Sequence, residues 1–352
     1  MPKPGLAIAA VCIAIGTVFA ACTREGEQVS PAPFDGDQTA VESDVAFFRG
    51  KTVTYIVATT AGGGYDVYGR LLARYMEQYL PGSRFVVRNV PGAGQIIGAN
   101  TIYVSAPDGL TFGIFNPGLV YAQILGQEGV RFDLGAMSWV GKMAEEGRSL
   151  AISNNSGFAS VEDLQNSETP IVLSAAGVGS ASYIETRIMS EVMNLNMQII
   201  TGFDGGETQL SMLRGELDGV LGAASSNLEF VERGDGQFLL SIAGARSAIP
   251  GVPQVREFVT DPGHLRLLNL VETLAELGRL TAGPPGIPPA RLRALREAFN
   301  AAVENPELLA DAARLSIPIT HGTGEEVQEK VRAILDQPPE IVEMLREAAQ
   351  DG

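Results

Sequence analysis

The sequence predicts an α/β protein built on parallel-rich sheets, and three observations carry that expectation. Short apolar runs alternate with helical patterns along most of the chain, the arrangement of parallel strands joined by crossover helices. Four strand-to-helix turns are rich in glycine. The 352 residues, 45% apolar and 19% charged, suffice for one or two buried cores and are unlike a disordered, collagen-like or coiled-coil composition.

Val53 to Val57 reads as a buried strand that runs into Ala61-Gly62-Gly63-Gly64, after which Val67, Leu71, Leu72, Tyr75 and Tyr79 share one helix face. A second strand, Phe85-Val86-Val87, enters Pro91-Gly92-Ala93-Gly94, and a helix starts near Ile97. The turn Pro107-Asp108-Gly109 introduces a third strand, Leu110 to Phe115. Ser149 to Ile152 and Ile171-Val172-Leu173 are strand-like, and the latter leads through Gly177-Val178-Gly179-Ser180 into a helix bearing Ile184, Ile188 and Val192. Gln198 to Thr201 reaches Gly202-Phe203-Asp204-Gly205-Gly206, then a helix with Leu210, Leu213 and Leu217. Val220-Leu221 and Phe238-Leu239-Leu240 are further strands. Pro288-Pro289 opens a helix with Leu292, Leu295, Phe299 and Val303, and two more follow around Val327 to Leu335 and Ile341 to Leu345.

The formal charge is -16, with 41 acids against 25 bases and no lysine-arginine run longer than two residues, which speaks against a nucleic-acid partner. With Cys12 inside the expected leader and Cys22 the expected lipid site, His264 and His321 alone are too few for a four-ligand zinc site, and no cofactor is implied. Lys3 opens a short basic segment and Gly5 to Ala21 is apolar or small, the length of a secretory leader and short for a membrane span. Phe19-Ala20-Ala21-Cys22 resembles a bacterial lipobox, so residues 1–21 are expected to leave as a signal peptide and Cys22 to receive lipid; ordinary cleavage with an incidental cysteine is the alternative. Residues 22–46, polar and with two prolines, suit a flexible tether to a membrane surface.

Glycine turns at helix starts have a chemical use. Without side chains in the way a ligand reaches the backbone, and first-turn N–H groups with the helix dipole favour a carboxylate or phosphate. Glycine also serves tight turns with no ligand at all. Gly92 to Gly98 looks like a dinucleotide fingerprint with one extra residue, whereas GxxxxGK[ST] and Gly-x-Ser-x-Gly are absent, so catalysis is not indicated.

Ala61-Gly62-Gly63-Gly64-Tyr65-Asp66 with Arg70-Leu71-Leu72-Ala73, Pro91-Gly92-Ala93-Gly94 with Ile97-Gly98-Ala99, and Ala106-Pro107-Asp108-Gly109-Leu110-Thr111 resemble, in that order, the solute receptors of tripartite tricarboxylate transporters, the Bug or TctC family. The resemblance continues through Ala176 to Ser182, Gly215-Glu216-Leu217-Asp218, Ile249 to Pro253 and Gly283 to Pro288. It implies a periplasmic, monomeric receptor of the type II periplasmic-binding-protein (Venus flytrap) fold. Two α/β domains would close on a small organic acid and hand it to a permease. Residues 47–150 with 260–352 would form one domain and 151–259 the other, the chain crossing near 150 and 260 at a hinge.

The family's carboxylate-holding loops would map onto Ala61, Gly62, Gly63, Gly64, Tyr65 and Asp66, onto Ala93, Gly94 and Gln95, onto Asn116, and onto Gly179, Ser180, Ala181 and Ser182. Asp66, Ser180 and Ser182 equally suit helix caps. Where the family often carries Val-Pro-Tyr-Lys-Gly, this chain has Thr201-Gly202-Phe203-Asp204-Gly205, and Tyr183 replaces a usual histidine. An acid near a bound dianion is repulsive, so Phe203 and Asp204 point towards a monocarboxylate, an amino acid or an aromatic acid rather than a citrate-like guest; Phe203 also suits the core. A nicotinamide-dependent oxidoreductase using Gly92 to Gly98, or a surface sensor without a permease, are the competing readings.

Overall fold

The structure, a computed structural model, describes residues 44–145, 147–178, 180–203, 206–242 and 248–349. Two sheets divide the strands. The first contains β1 (Thr52–Val57), β2 (Arg84–Asn89), β3 (Thr111–Phe115), β4 (Ser138–Lys142), β10 (Leu280–Gly283) and β11 (Gly322–Thr323), in the order β11-β4-β10-β3-β1-β2. The second contains β5 (Arg148–Ser153), β6 (Ile171–Ala175), β7 (Met197–Thr201), β8 (Gly219–Ala223) and β9 (Gly236–Ile242), in the order β7-β6-β8-β5-β9.

One plan serves both sheets. β1 runs parallel to β2 and β3 while β10 lies antiparallel between β3 and β4. β6 runs parallel to β7 and β8 while β5 lies antiparallel between β8 and β9. β11 also runs antiparallel to β4, but β10 and β5 are each the strand that has just arrived from the other sheet, so each lobe is completed by chain delivered from its neighbour. This is the two-lobed, parallel-rich α/β architecture expected from the sequence.

Helices lie between successive strands: α1 (Gly64–Tyr79), α2 (Ile96–Tyr103) and α3 (Leu119–Ile124) in the first lobe, then α4 (Val161–Gln165), α5 (Ala181–Met193), α6 (Gly206–Leu213) and α7 (Ala224–Glu232) in the second. They are followed by α8 (Pro262–Ala275), α9 (Pro289–Val303), α10 (Pro306–Arg314), α11 (Gly324–Leu335) and α12 (Pro339–Ala349). Pro262, Pro289 and Pro306 each stand in a first turn, where the missing N–H costs no hydrogen bond. α6 stops at Leu213, so Leu217, expected on that helix, instead packs beyond it with Met212 and Phe230 in a small core.

α1 buries Tyr68, Leu72 and Met76 against β1, Phe112 and α9. The hydroxyl of Tyr55 and that of Thr281 are 2.8 Å apart inside this core, and Tyr68 donates to the Pro318 carbonyl at 2.7 Å, so both rings are buried with their polar ends satisfied. Truncating a fully buried side chain such as Leu72 would cost about 2–5 kcal/mol.

The chain leaves the first sheet between β4 and β5. It returns after α8, which packs on β9 and α5, so the return lies beyond the expected crossing near residue 260. The two crossings run side by side, the amide of Met143 donating to the Arg279 carbonyl at 3.2 Å and that of Ala144 to Gly278 at 3.4 Å. α12 also packs on α5 and α8, so the end of the described chain caps the second lobe.

Candidate functional site

The first glycine turn links β1 to α1. Its N-cap, Gly63, offers no side chain to the first-turn amides. Asp66 turns its carboxylate back into the turn: it accepts the Gly62 amide at 3.0 Å, Arg70 Nε at 2.9 Å and Asn89 Nδ2 at 2.9 Å. Burial by itself raises this carboxyl's pKa, but the three donors outweigh it and hold it below the ordinary value. Asp66 therefore braces the loop from within. Tyr65 projects from the same turn, its ring 4.0 Å from the Arg279 guanidinium, which also lies 4.7 Å from the Tyr68 ring. Arg279 Nη2 reaches Ser225 Oγ at 3.2 Å and Ser226 Oγ at 3.3 Å in the first turn of α7, so one fully buried arginine joins α1 of one lobe to α7 of the other.

The second turn, between β2 and α2, holds Gly92, Ala93, Gly94 and Gln95 with φ of 122°, 47°, 61° and 79°. Such a run of left-handed residues reverses the backbone sharply, and two of the four are not glycine. Gln95 Oε1 accepts the Asn116 amide at 2.9 Å, and Asn116 Oδ1 accepts the Gly118 amide at 2.6 Å, so these two side chains tie the second turn to the loop after β3. Gly98, the last glycine of the dinucleotide-like stretch, sits where a Cβ would come 2.5 Å from Ala58 Cβ; its use is close packing of α2 on β1.

In the second lobe Ser180 Oγ accepts the amides of Tyr183 and Gly177, each at 3.3 Å, and lies 3.1 Å from Ser182 Oγ, which accepts the Ala176 amide at 3.2 Å. Ser180 is the N-cap of α5, and Ala181 and Ser182 are its first helical residues. Phe203 packs against the Met212, Leu217 and Phe230 cluster. Cys22, Gly179 and Asp204 lie outside the described residues.

These turns meet across the cleft. A Cβ on Gly94 would stand 3.1 Å from Ser180 Cβ, one on Gly118 would stand 2.2 Å from Ala181 Cβ, and one on Gly64 3.1 Å from Ser226 Oγ. Gln127 Nε2 donates to the Val178 carbonyl at 2.8 Å, bridging the same seam. The lobes are shut on one another, leaving a cavity of about 10 Å³, room for roughly one water. Tyr65, Asn116 and Pro117 line it from the first lobe, Arg148 and Glu185 from the second, and Leu274, Ala275 and Gly278 at the return crossing.

Arg148 Nε donates to Glu185 Oε2 at 2.5 Å, with 10% and 4% of the two side chains exposed. Burial pushes the Glu185 carboxyl up, opposed by the Arg148 charge. Arg148, Glu185 and Arg279 were not singled out from sequence. The one available signal was an acid at position 185 inside an otherwise apolar helix face beside Ile184 and Ile188. A larger, open groove of about 470 Å³ runs between α1 and α10, but its arginines engage acids, Arg70 with Asp66 and both Arg74 and Arg314 with Asp311, and it is not lined by the glycine turns.

Comparisons with known proteins agree with this geometry. The family described as "Tripartite tricarboxylate transporter family receptor" matches residues 69–338. A UPF0065 protein from the TAR-I ttuE-ttuC' intergenic region of Agrobacterium vitis is 23% identical over 307 residues, 82% of this chain and 83% of that protein. Among solved structures, the periplasmic binding protein BugD superposes with a TM-score of 0.70 at 19% identity, covering 85% of this chain and 97% of that one. R. palustris Rpa4515 with adipate gives 0.68 at 20% identity, covering 85% and 97%. MatC from Rhodopseudomonas palustris with bound malate gives 0.66 at 19%, covering 81% and 98%. No helix among the described residues is long and apolar enough to cross a membrane.

Proposed function

The chain belongs to the tripartite tricarboxylate transporter family of receptors, and from that premise we propose that it captures one small organic acid in the cleft between its two lobes and delivers it to a tripartite tricarboxylate-type permease. The observation that carries the reading is the convergence of glycine turns from both sheets, Gly64 on Ser226, Gly94 on Ser180 and Gly118 on Ala181. In α1 the Asp66 amide bonds the Gly63 carbonyl and in α5 the Tyr183 amide bonds Ser180 Oγ, so a guest would meet the amides at the very start of each helix, where each presents the positive end of its dipole. A carboxylate between them is held by main-chain donors and is released unchanged. The remote surface charge of -16 is screened beyond about 8 Å at physiological ionic strength, while donors inside a desolvated cleft are screened far less.

Ala61 to Gly64, Ala93 to Gln95, Asn116 and Ser180 to Ser182 form the ligand-holding rim in this reading, with Tyr65 as its aromatic wall and Asp66 as an internal brace. Asp204 stands where the family often has a lysine, which disfavours a tricarboxylate guest. Closure turns about the paired crossings, Met143–Ala144 beside Gly278–Arg279, and ligand drives it to the extent that it binds the closed state better. Residues 1–21 act as an export signal, Cys22 carries lipid, and the receptor works as a monomer tethered outside the cytoplasm.

Calorimetry of the purified chain against mono-, di- and tricarboxylates, with solution scattering on the same samples, tests this. One class is expected to bind without being converted and to shrink the radius of gyration. Chemical turnover of the bound acid, or silence towards every acid, overturns the proposal.

A further inference from the structure

The geometry points to an amino acid as the guest, its ammonium received by Glu185; this rests on the receptor reading above. Glu185 is 3% exposed, lines the cleft cavity, and among the described residues accepts a hydrogen bond only from Arg148 Nε. A carboxylate has about four acceptor positions, and a buried one with a single donor is short of partners. From the opposite lobe, Tyr121 on α3 is fully buried with its hydroxyl unpartnered among the described residues, and it lies within electrostatic reach of both Glu185 and Arg148. A buried hydroxyl without a partner and a buried carboxylate with a single donor thus lie on either side of the seam, and a donor-bearing guest would serve both.

Charge favours the same class. Arg148 and Glu185 together leave the cavity wall neutral, and a zwitterion keeps it so: its carboxylate goes to the turn amides and its ammonium to Glu185. A dicarboxylate would set a second negative charge beside Glu185 with no cation besides Arg148 among the described lining residues. The closed cavity is only water-sized, so the guest enters as the lobes part, and Pro117, Leu274 and Ala275 then offer an apolar wall to a small side chain.

The experiment is calorimetry on the full mature chain with small L-amino acids, each paired with the acid of the same skeleton lacking the amine (alanine with propanoate, aspartate with succinate), and with malate and adipate alongside. The best amino acid is expected to bind at least about tenfold more tightly than its des-amino partner, one charge-assisted hydrogen bond's worth. Glu185→Gln should collapse that ratio to within about threefold while sparing the des-amino acid. Because this change leaves Arg148 buried without its partner, Arg148→Met with Glu185→Gln provides a second variant free of both charges, with the same collapse expected. Malate, adipate or any des-amino acid binding more tightly than every amino acid overturns the inference and leaves the receptor reading standing. So does an unchanged ratio in the folded variants. Silence towards every acid overturns the receptor reading itself.

Discussion

The carboxylate of Asp66 accepts the amide of Gly62 at 3.0 Å, so the helix that follows the first glycine turn holds that turn from inside. Asp66→Ala takes the acceptor from that amide and from Arg70 Nε, leaves Asn89 Nδ2 with the Thr59 carbonyl alone, and should lower stability by about 1–3 kcal/mol in urea unfolding. The carboxyl's folded pKa lies below its ordinary 3.8, so the stabilisation is full above that value and disappears as pH falls through the lower folded one. The gap between wild type and variant is therefore expected to narrow below about pH 4; a gap that widens in acid would refute the assignment.

Gly118 gives a cleaner probe of closure. Its φ is -61°, which alanine adopts freely, yet the added Cβ would meet Ala181 Cβ at 2.2 Å across the cleft. Gly118→Ala should prop the lobes apart and weaken ligand binding by the inverse of the closed fraction that remains, at least about tenfold. Scattering of the ligand-saturated variant is expected to keep the unliganded radius of gyration. Gly206→Ala, where a Cβ meets nothing within 4 Å, is the control and should bind as wild type.

Cys22 supplies a prediction independent of the cleft. If its thiol takes lipid, Cys22→Ser should abolish palmitate labelling of the expressed chain and move the protein from the membrane fraction to the soluble extracytoplasmic fraction. Retention in the membrane without label would leave the anchor elsewhere.

What the sequence made legible follows from how the fold is stabilised. β1, β2, β3 and β6 are apolar runs ending in glycine turns or their near neighbours, and period and punctuation marked them. β4 was hidden because it ends in Lys142, whose ammonium is buried on Glu145 Oε1 at 2.8 Å and the Glu276 carbonyl at 2.6 Å; a lysine in a strand reads as surface until its partners are seen. β10 is four residues wedged between Arg279 and Pro284-Pro285, too short to show a period. The glycine turns were visible because each has its own local signature. Arg148 and Glu185 were not, since they are 37 positions apart and only the packing of α5 on the second sheet brings them together. Arg279 was hidden for the same reason, as its partners come from α1 and α7.

That arginine carries the last prediction. Arg279 is 0% exposed, holds a φ of +59°, and stacks on Tyr65 at 4.0 Å and Tyr68 at 4.7 Å while its Nη2 reaches two serine hydroxyls of the other lobe. A left-handed backbone at a long, charged side chain persists only where the surroundings over-determine it. A planar guanidinium can face two rings and still donate sideways; a lysine ammonium cannot do both. Arg279→Lys is thus expected to cost about 1–3 kcal/mol in urea unfolding and to weaken ligand binding, because the same group joins α1 to α7 across the seam. Tyr65→Leu should cost less by itself, and the double variant should show coupling of about 1 kcal/mol, the contribution of the cation–ring contact. Strict additivity of the two changes would mean that Tyr65 is placed by the glycine turn alone and that Arg279 serves only the hinge.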